Sequence, residues 1–219
     1  EEEIYLREHE DIKRFFNEVG YGHSGNTIDF TKGWDYAKKE VWKTPIVESM
    51  EKAYYRNKDL ILYPMMDFSK VTNMNGTFLG CENLVTIPLL DTSNVTTMQN
   101  LFSSCSNLLS IPKIDTSKVI FMNGTFIYCT NLRSVPLLDT SNVQTILQCF
   151  KGCRNLKTIP KLNVSNVVNM YGTFEYCTAL EKIPELNTEK VQNFTYCFSS
   201  CISLRRIEGI SFKSATNLY

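Results

Sequence analysis

Six prolines, Pro64, Pro88, Pro112, Pro136, Pro160 and Pro184, follow one another at steps of 24 residues. Cysteines keep the same step at Cys81, Cys105, Cys129, Cys153, Cys177 and Cys201, and phenylalanines at Phe78, Phe102, Phe126, Phe150, Phe174 and Phe198. Val71, Val95, Val119, Val143, Val167 and Val191 form a fourth ladder, and Leu84, Leu108, Leu132, Leu156, Leu180 and Leu204 a fifth. Written once, the unit is D-T-S-N-V-x-x-M-x-x-x-F-x-x-C-x-N-L-x-x-I-P-x-L. A unit this short cannot bury its apolar face alone. Ladders kept without insertion or deletion therefore restrict the chain to units stacked on one another.

Within a unit, Val95, Met98, Phe102 and Cys105 are spaced three, four and three, which predicts one apolar stripe on a helical segment. Asp91, Thr92 and Ser93 precede it, where side-chain oxygens cap the first free backbone N–H groups. Asn107 and Leu108 then turn the chain into a short extended stretch, 109–111, which Pro112 stops because it has no N–H for a ladder. Residues 43–66 align as a divergent, charged capping repeat, with Val47, Met50, Tyr54, Leu60 and Pro64 at ladder positions. Six full units occupy 67–210, and 211–219 begin a further, truncated coil. Seven coils at the rise of stacked strands give a stack about 33 Å long. Residues 1–42 lie outside the repeat, and the apolar pattern of Ile4, Leu6, Ile12, Phe15, Phe16 and Val19 predicts a helical N-terminal cap.

The F-x-x-C-x-N-L-x-x-I-P turn and the D-T-S-N-V-x-x-M segment resemble the BspA-like leucine-rich repeats of bacterial surface proteins. The resemblance covers 43–219, and D-T-S-N-V arrays also occur in bacteriophage structural proteins and mycoplasma surface proteins. It implies an α/β, right-handed leucine-rich-repeat solenoid of about seven coils, displayed outside the cell, with adhesion to host proteins as its role. The compact 24-residue unit departs from longer relatives, since its Pro ends the strand earlier.

Basic and acidic side chains number 23 each, so no global field favours nucleic acid or an anionic membrane surface. No apolar run reaches the length of a membrane span. The chain opens at Glu1 with neither a basic start nor an apolar h-region, so the expectation is a secreted or cell-surface protein whose signal peptide is absent from this sequence. No G-x-S-x-G, H-E-x-x-H, P-loop or dinucleotide fingerprint occurs, and His9 and His23 are the only histidines, which points away from an enzyme and from a cofactor.

The cysteine ladder lies on the apolar stripe and reads as buried free thiols rather than disulfides or a zinc site. Asp67, Asp91, Asp115 and Asp139 continue as Asn163 and Asn187, and that exchange favours local capping over calcium binding. Asn83, Asn107, Asn131 and Asn155 read as a buried ladder bonding backbone at the turn. The N-x-[ST] sequons at Asn75, Asn94, Asn123, Asn163 and Asn193 arise from the repeat itself. Positions the repeat leaves free turn basic toward the C-terminal coils, through Arg133, Lys157, Lys161, Lys182, Arg205 and Arg206. This stripe is the candidate ligand-binding face, for an extracellular or host protein or an anionic glycan. The functional expectation is a non-catalytic, adhesin-like binding module. The alternative is a structural spacer or scaffold of a bacterial surface or phage particle, with end-to-end self-association through 211–219.

Overall fold

The computed structural model describes residues 48–58, 60, 68–207 and 209–218. The chain forms two compact units, and the described residues all belong to the second, which comprises 46–63 and 67–219. The helical cap expected over 1–42 lies outside the described residues, as does much of the 43–66 repeat.

The described coils stack in register at the 24-residue step. Parallel bridges join Ser49 to Asn73, Asn73 to Thr97, Thr97 to Phe121 and Phe121 to Thr145, and Asn169 to Asn193 and Asn193 to Asn217. A second column of pairing runs through Thr158 and Lys182, and becomes regular strand only in β1 (Lys182–Ile183), paired in parallel with β2 (Arg206–Ile207).

The segment carrying the Val–Met–Phe–Cys stripe is not helical. Its amides alternate in direction: the N–H groups of Met98, Asn100, Phe102 and Ser104 donate to Phe121, Asn123, Thr125 and Ile127 of the next coil. Between them, Leu101, Ser103 and Cys105 donate back three residues, to Met98, Asn100 and Phe102. The result is a run of overlapping turns, with every second amide given to the neighbouring coil. Two residues per coil adopt left-handed backbone, which an α-helix of L-residues cannot hold. One column holds Lys52, Gly76, Asn100, Gly124, Gln148, Gly172 and Tyr196, and the other Arg56, Gly80, Ser104, Tyr128, Gly152, Tyr176 and Ser200. Among the described residues there is no helix, and two-residue strands are the only regular ones. The expected α/β leucine-rich-repeat solenoid is thus corrected for the described coils. The segment expected to be helical satisfies its backbone between coils and carries the main column of single bridges, whereas the stretch expected to be a strand pairs, among the described residues, only at Thr158–Lys182 and in β1–β2.

Apolar columns fill the interior. Rings stack from Tyr54 through Phe78, Phe102, Phe126, Phe150 and Phe174 to Phe198, with centroids 5.4–5.8 Å apart. The valines of the ladder and the leucines from Leu84 to Leu180 are buried beside them. Each repeat cysteine donates its thiol to the carbonyl of the aromatic residue one coil back, as from Cys105 to Phe78 and Cys129 to Phe102, both 3.0 Å. That carbonyl already accepts an N–H from its own coil, for instance Cys81 N–H to Phe78 at 3.0 Å. The thiol therefore occupies the second lone pair of a buried acceptor while remaining small enough for the core. Buried threonines do similar work at the coil corner, where Thr92 and Thr116 donate to the carbonyls of Asp115 and Asp139.

Candidate functional site

The backbone places Val85, Leu109 and Arg133 in one column through successive inter-coil bonds, and Lys157, Glu181 and Arg205 in another run of the same position. Arg133, Lys157 and Arg205 are exposed, and Glu181 stands between the last two. Lys182 lies one residue along, opposite Arg206 in the β1–β2 pairing. Lys161 occupies the position after Pro, with Leu137 one coil before and Glu185 one coil after. The bases thus recur at three repeat positions, but Glu181 and Glu185 interrupt them, so the stripe is mixed. Among the described residues, none of Arg133, Lys157, Lys161, Lys182 and Arg205 forms an ion pair, whereas Lys58–Glu82 and Lys151–Glu175 do.

A second cluster sits on the turn run, at positions where the repeat shows no consensus. Lys151 and Glu175 occupy equivalent positions in adjacent coils, and their charged atoms meet at 2.8 Å with side chains only 16% and 11% exposed. No other donor among the described residues reaches Glu175 Oε2. The Glu175 carboxylate holds the Lys151 ammonium above the ordinary lysine range, against a desolvation that acts the other way. A pair this buried gains little net stability over apolar packing, yet losing one partner strands the other charge. Tyrosines surround it: the ammonium lies 5.9 Å from the Tyr176 ring centre and within electrostatic reach of Tyr128 and Tyr171. Tyr171 meets Tyr196 edge-to-face at 5.7 Å. Tyr128, Tyr176 and Tyr196 expose 44%, 44% and 47% of their surface. Glycines make this arrangement fit, since a Cβ on Gly152 would strike the Tyr128 ring, and one on Gly172 would crowd Glu175 Oε2. The sequence reading missed the cluster because a consensus averages away the positions where coils differ.

The remaining candidates resolve as structure. Asp91, Asp115 and Asp139, and then Asn163 and Asn187, accept the N–H two residues ahead through Oδ1, which is local capping of a turn. The Ser117 and Ser141 donors hold the Asp115 and Asp139 carboxyls below their ordinary range. No group of three metal-ligating side chains occurs among the described residues. The asparagine ladder is not buried. Asn107, Asn131 and Asn155 donate Nδ2 to the Oδ1 of the asparagine one coil back at 3.4, 3.3 and 3.1 Å, on the surface. All eight cysteines are free, and seven are buried, Cys149 and Cys197 included.

This coil recurs in known proteins. Residues 48–158 and 133–218 match a family described as "Mycoplasma protein of unknown function, DUF285". The chain belongs to the DUF285 family. The two matches overlap and together span the stacked coils; the narrower assignment to BspA-like leucine-rich repeats is not carried by this match. No curated protein and no solved structure matches the chain. No helix among the described residues is long and apolar enough to cross a membrane.

Proposed function

We propose that this DUF285 chain is a non-catalytic binding module of a secreted or cell-surface protein, and that its basic face takes an acidic protein or an anionic glycan. The observation that supports the reading is the exposed column holding Arg133, Lys157 and Arg205, with Lys182 and Lys161 beside it and no ion pair to any of the five among the described residues. Arg133 and Lys157 stand at the same position one coil apart, about 5 Å, close enough for like charges to repel by roughly 1 kcal/mol in water. An anionic partner relieves that repulsion, which a spacer has no reason to maintain. Repetition along the stack suits an extended ligand, which meets equivalent positions on successive coils.

The test is binding of the purified chain to extracellular-matrix proteins and to sulfated or acidic glycans at low and physiological salt. Affinity should weaken as salt rises and disappear in the Arg133→Glu, Lys157→Glu, Arg205→Glu triple variant. Binding that ignores both salt and the triple change sinks the reading. A folded chain that retains no ligand moves the weight to a structural spacer.

A further inference from the structure

We propose that the turn-run face formed by Tyr128, Tyr171, Tyr176 and Tyr196 around Lys151 and Glu175 is a binding site for a neutral oligosaccharide, separate from the basic stripe. Four observations select this class of ligand. The first is charge: Lys151 is satisfied by Glu175 at 2.8 Å, so the centre of the patch carries no net charge to attract an ion. The second is size. Tyr128, Tyr176 and Tyr196 are each just under half exposed, which at the usual area of an aromatic side chain offers about 300 Å². A stable protein interface needs about 800 Å² from each partner. A few sugar rings are nearer the scale of this patch.

The third observation is chemical. Tyrosine rings present apolar faces, on which the C–H faces of a pyranose stack, and hydroxyls that donate and accept. The tyrosine hydroxyls match the alternating donors and acceptors of sugar hydroxyls. The fourth is rigidity and spacing. Tyr128 and Tyr176 both rise from left-handed backbone, at φ 58° and 60°, in the same column two coils apart. Two coils separate their backbones by about 10 Å, and the Tyr128 ring lies over Gly152 in the coil between, which sets its apolar face along the stack. Rings fixed by backbone and packing lose little freedom when a ligand arrives.

The column itself supplies variants that should fold. Gly80 and Gly152 occupy the position of Tyr128 and Tyr176, and glycine accepts left-handed backbone freely, so Tyr128→Gly with Tyr176→Gly removes both rings without strain. The wild-type chain, this double variant and the basic-face triple variant are run in affinity gels and titration calorimetry against short oligomers of glucose, galactose, mannose and N-acetylglucosamine, at low and high salt. At least one oligomer should bind wild type with little salt dependence. Affinity should fall about tenfold or more in the double-glycine variant and stay unchanged in the triple variant. The proposal is overturned if no oligomer binds the folded chain, if binding survives loss of both rings, or if the rings matter only for capture of a protein. Failure of the basic-face reading leaves this result unaffected, since the two variants change different residues.

Discussion

Raising the pH should unfold this protein sharply, because its core is threaded with thiols that cannot ionise in place. Burial pushes Cys81 and Cys149 from an ordinary 9.0 up to about 12, and Cys105, Cys129 and Cys177 higher still. Cys153 and Cys197 are held well above the same value by burial, aided by neighbouring thiols of the ladder. Seven thiols are therefore protonated in the folded chain at a pH where those of the unfolded chain have lost their protons. The unfolded state then binds fewer protons, so stability is intact below the ordinary thiol value and falls as pH rises through it. Each thiol contributes about 1.4 kcal/mol per pH unit beyond that point, and the set of seven about 10 kcal/mol. A typical domain holds about 5–15 kcal/mol in total, which places the unfolding midpoint near pH 10. The size of each upward shift hardly enters, provided the folded values stay above the working pH. Urea unfolding followed by circular dichroism across this range, under reducing conditions, gives the slope, and thiolate absorbance should appear together with unfolding. Replacing Cys129 and Cys153 by Ala should reduce the slope by about 3 kcal/mol per pH unit. A stability unchanged up to pH 10, or thiolates appearing in a chain still folded, would refute the reasoning.

Alkylation of the native chain at mild pH should label Cys201 first, since it alone is partly exposed and its thiol is pushed up only to about 11; peptide mapping that finds Cys129 labelled earlier contradicts the packing. Phe126→Ala removes a ring stacked on both sides, at 5.5 and 5.4 Å, and should cost about 3–5 kcal/mol in urea melts. Phe198, half-buried and described as stacked only on Phe174, should cost less when truncated, and equal losses would argue against nearest-neighbour stacking. Gly152→Ala puts a Cβ on left-handed backbone at φ 74° against the Tyr128 ring and should lower stability by about 2 kcal/mol, measured as a shift in urea midpoint at constant slope. Thr116→Val should cost only about 1 kcal/mol in the same assay, because Val164 already fills that column two coils later without a hydroxyl.

Periodicity makes the stacking direction and most of the core legible in the sequence. Val95, Phe102, Cys105 and Leu108 are all buried where the repeat put them, and Asp115 caps a turn. The helix was misread for a physical reason. A three-four-three apolar spacing fits an α-helix, but it fits a run of turns equally well when every second amide leaves for the next coil. The counter-signal lay in Gly76, Gly124 and Gly172 at one repeat position and Gly80 and Gly152 at another, inside the supposed helix. Glycine recurring in register within a helical pattern marks left-handed backbone, and both columns have it. The asparagine ladder was misplaced because an amide can satisfy its own kind one coil away and so needs no burial. Lys151 and Glu175 were invisible because their pairing depends on which coils are adjacent, a property of the stack and not of the unit.

The thiol-to-carbonyl bond between coils has a consequence for how such a chain changes length. Each coil offers the one before it a thiol and the one after it an aromatic carbonyl, so the two faces of every interior unit are the same two faces. Deleting or duplicating a whole unit brings together surfaces that already fit, with rings, thiols and amides in register. A cut at any other length puts a phenylalanine against a turn. Loss or gain of one unit is therefore a single tolerable event, whereas a one-residue slip is a broken protein, and length variation in whole coils is the form of variation this chemistry leaves open.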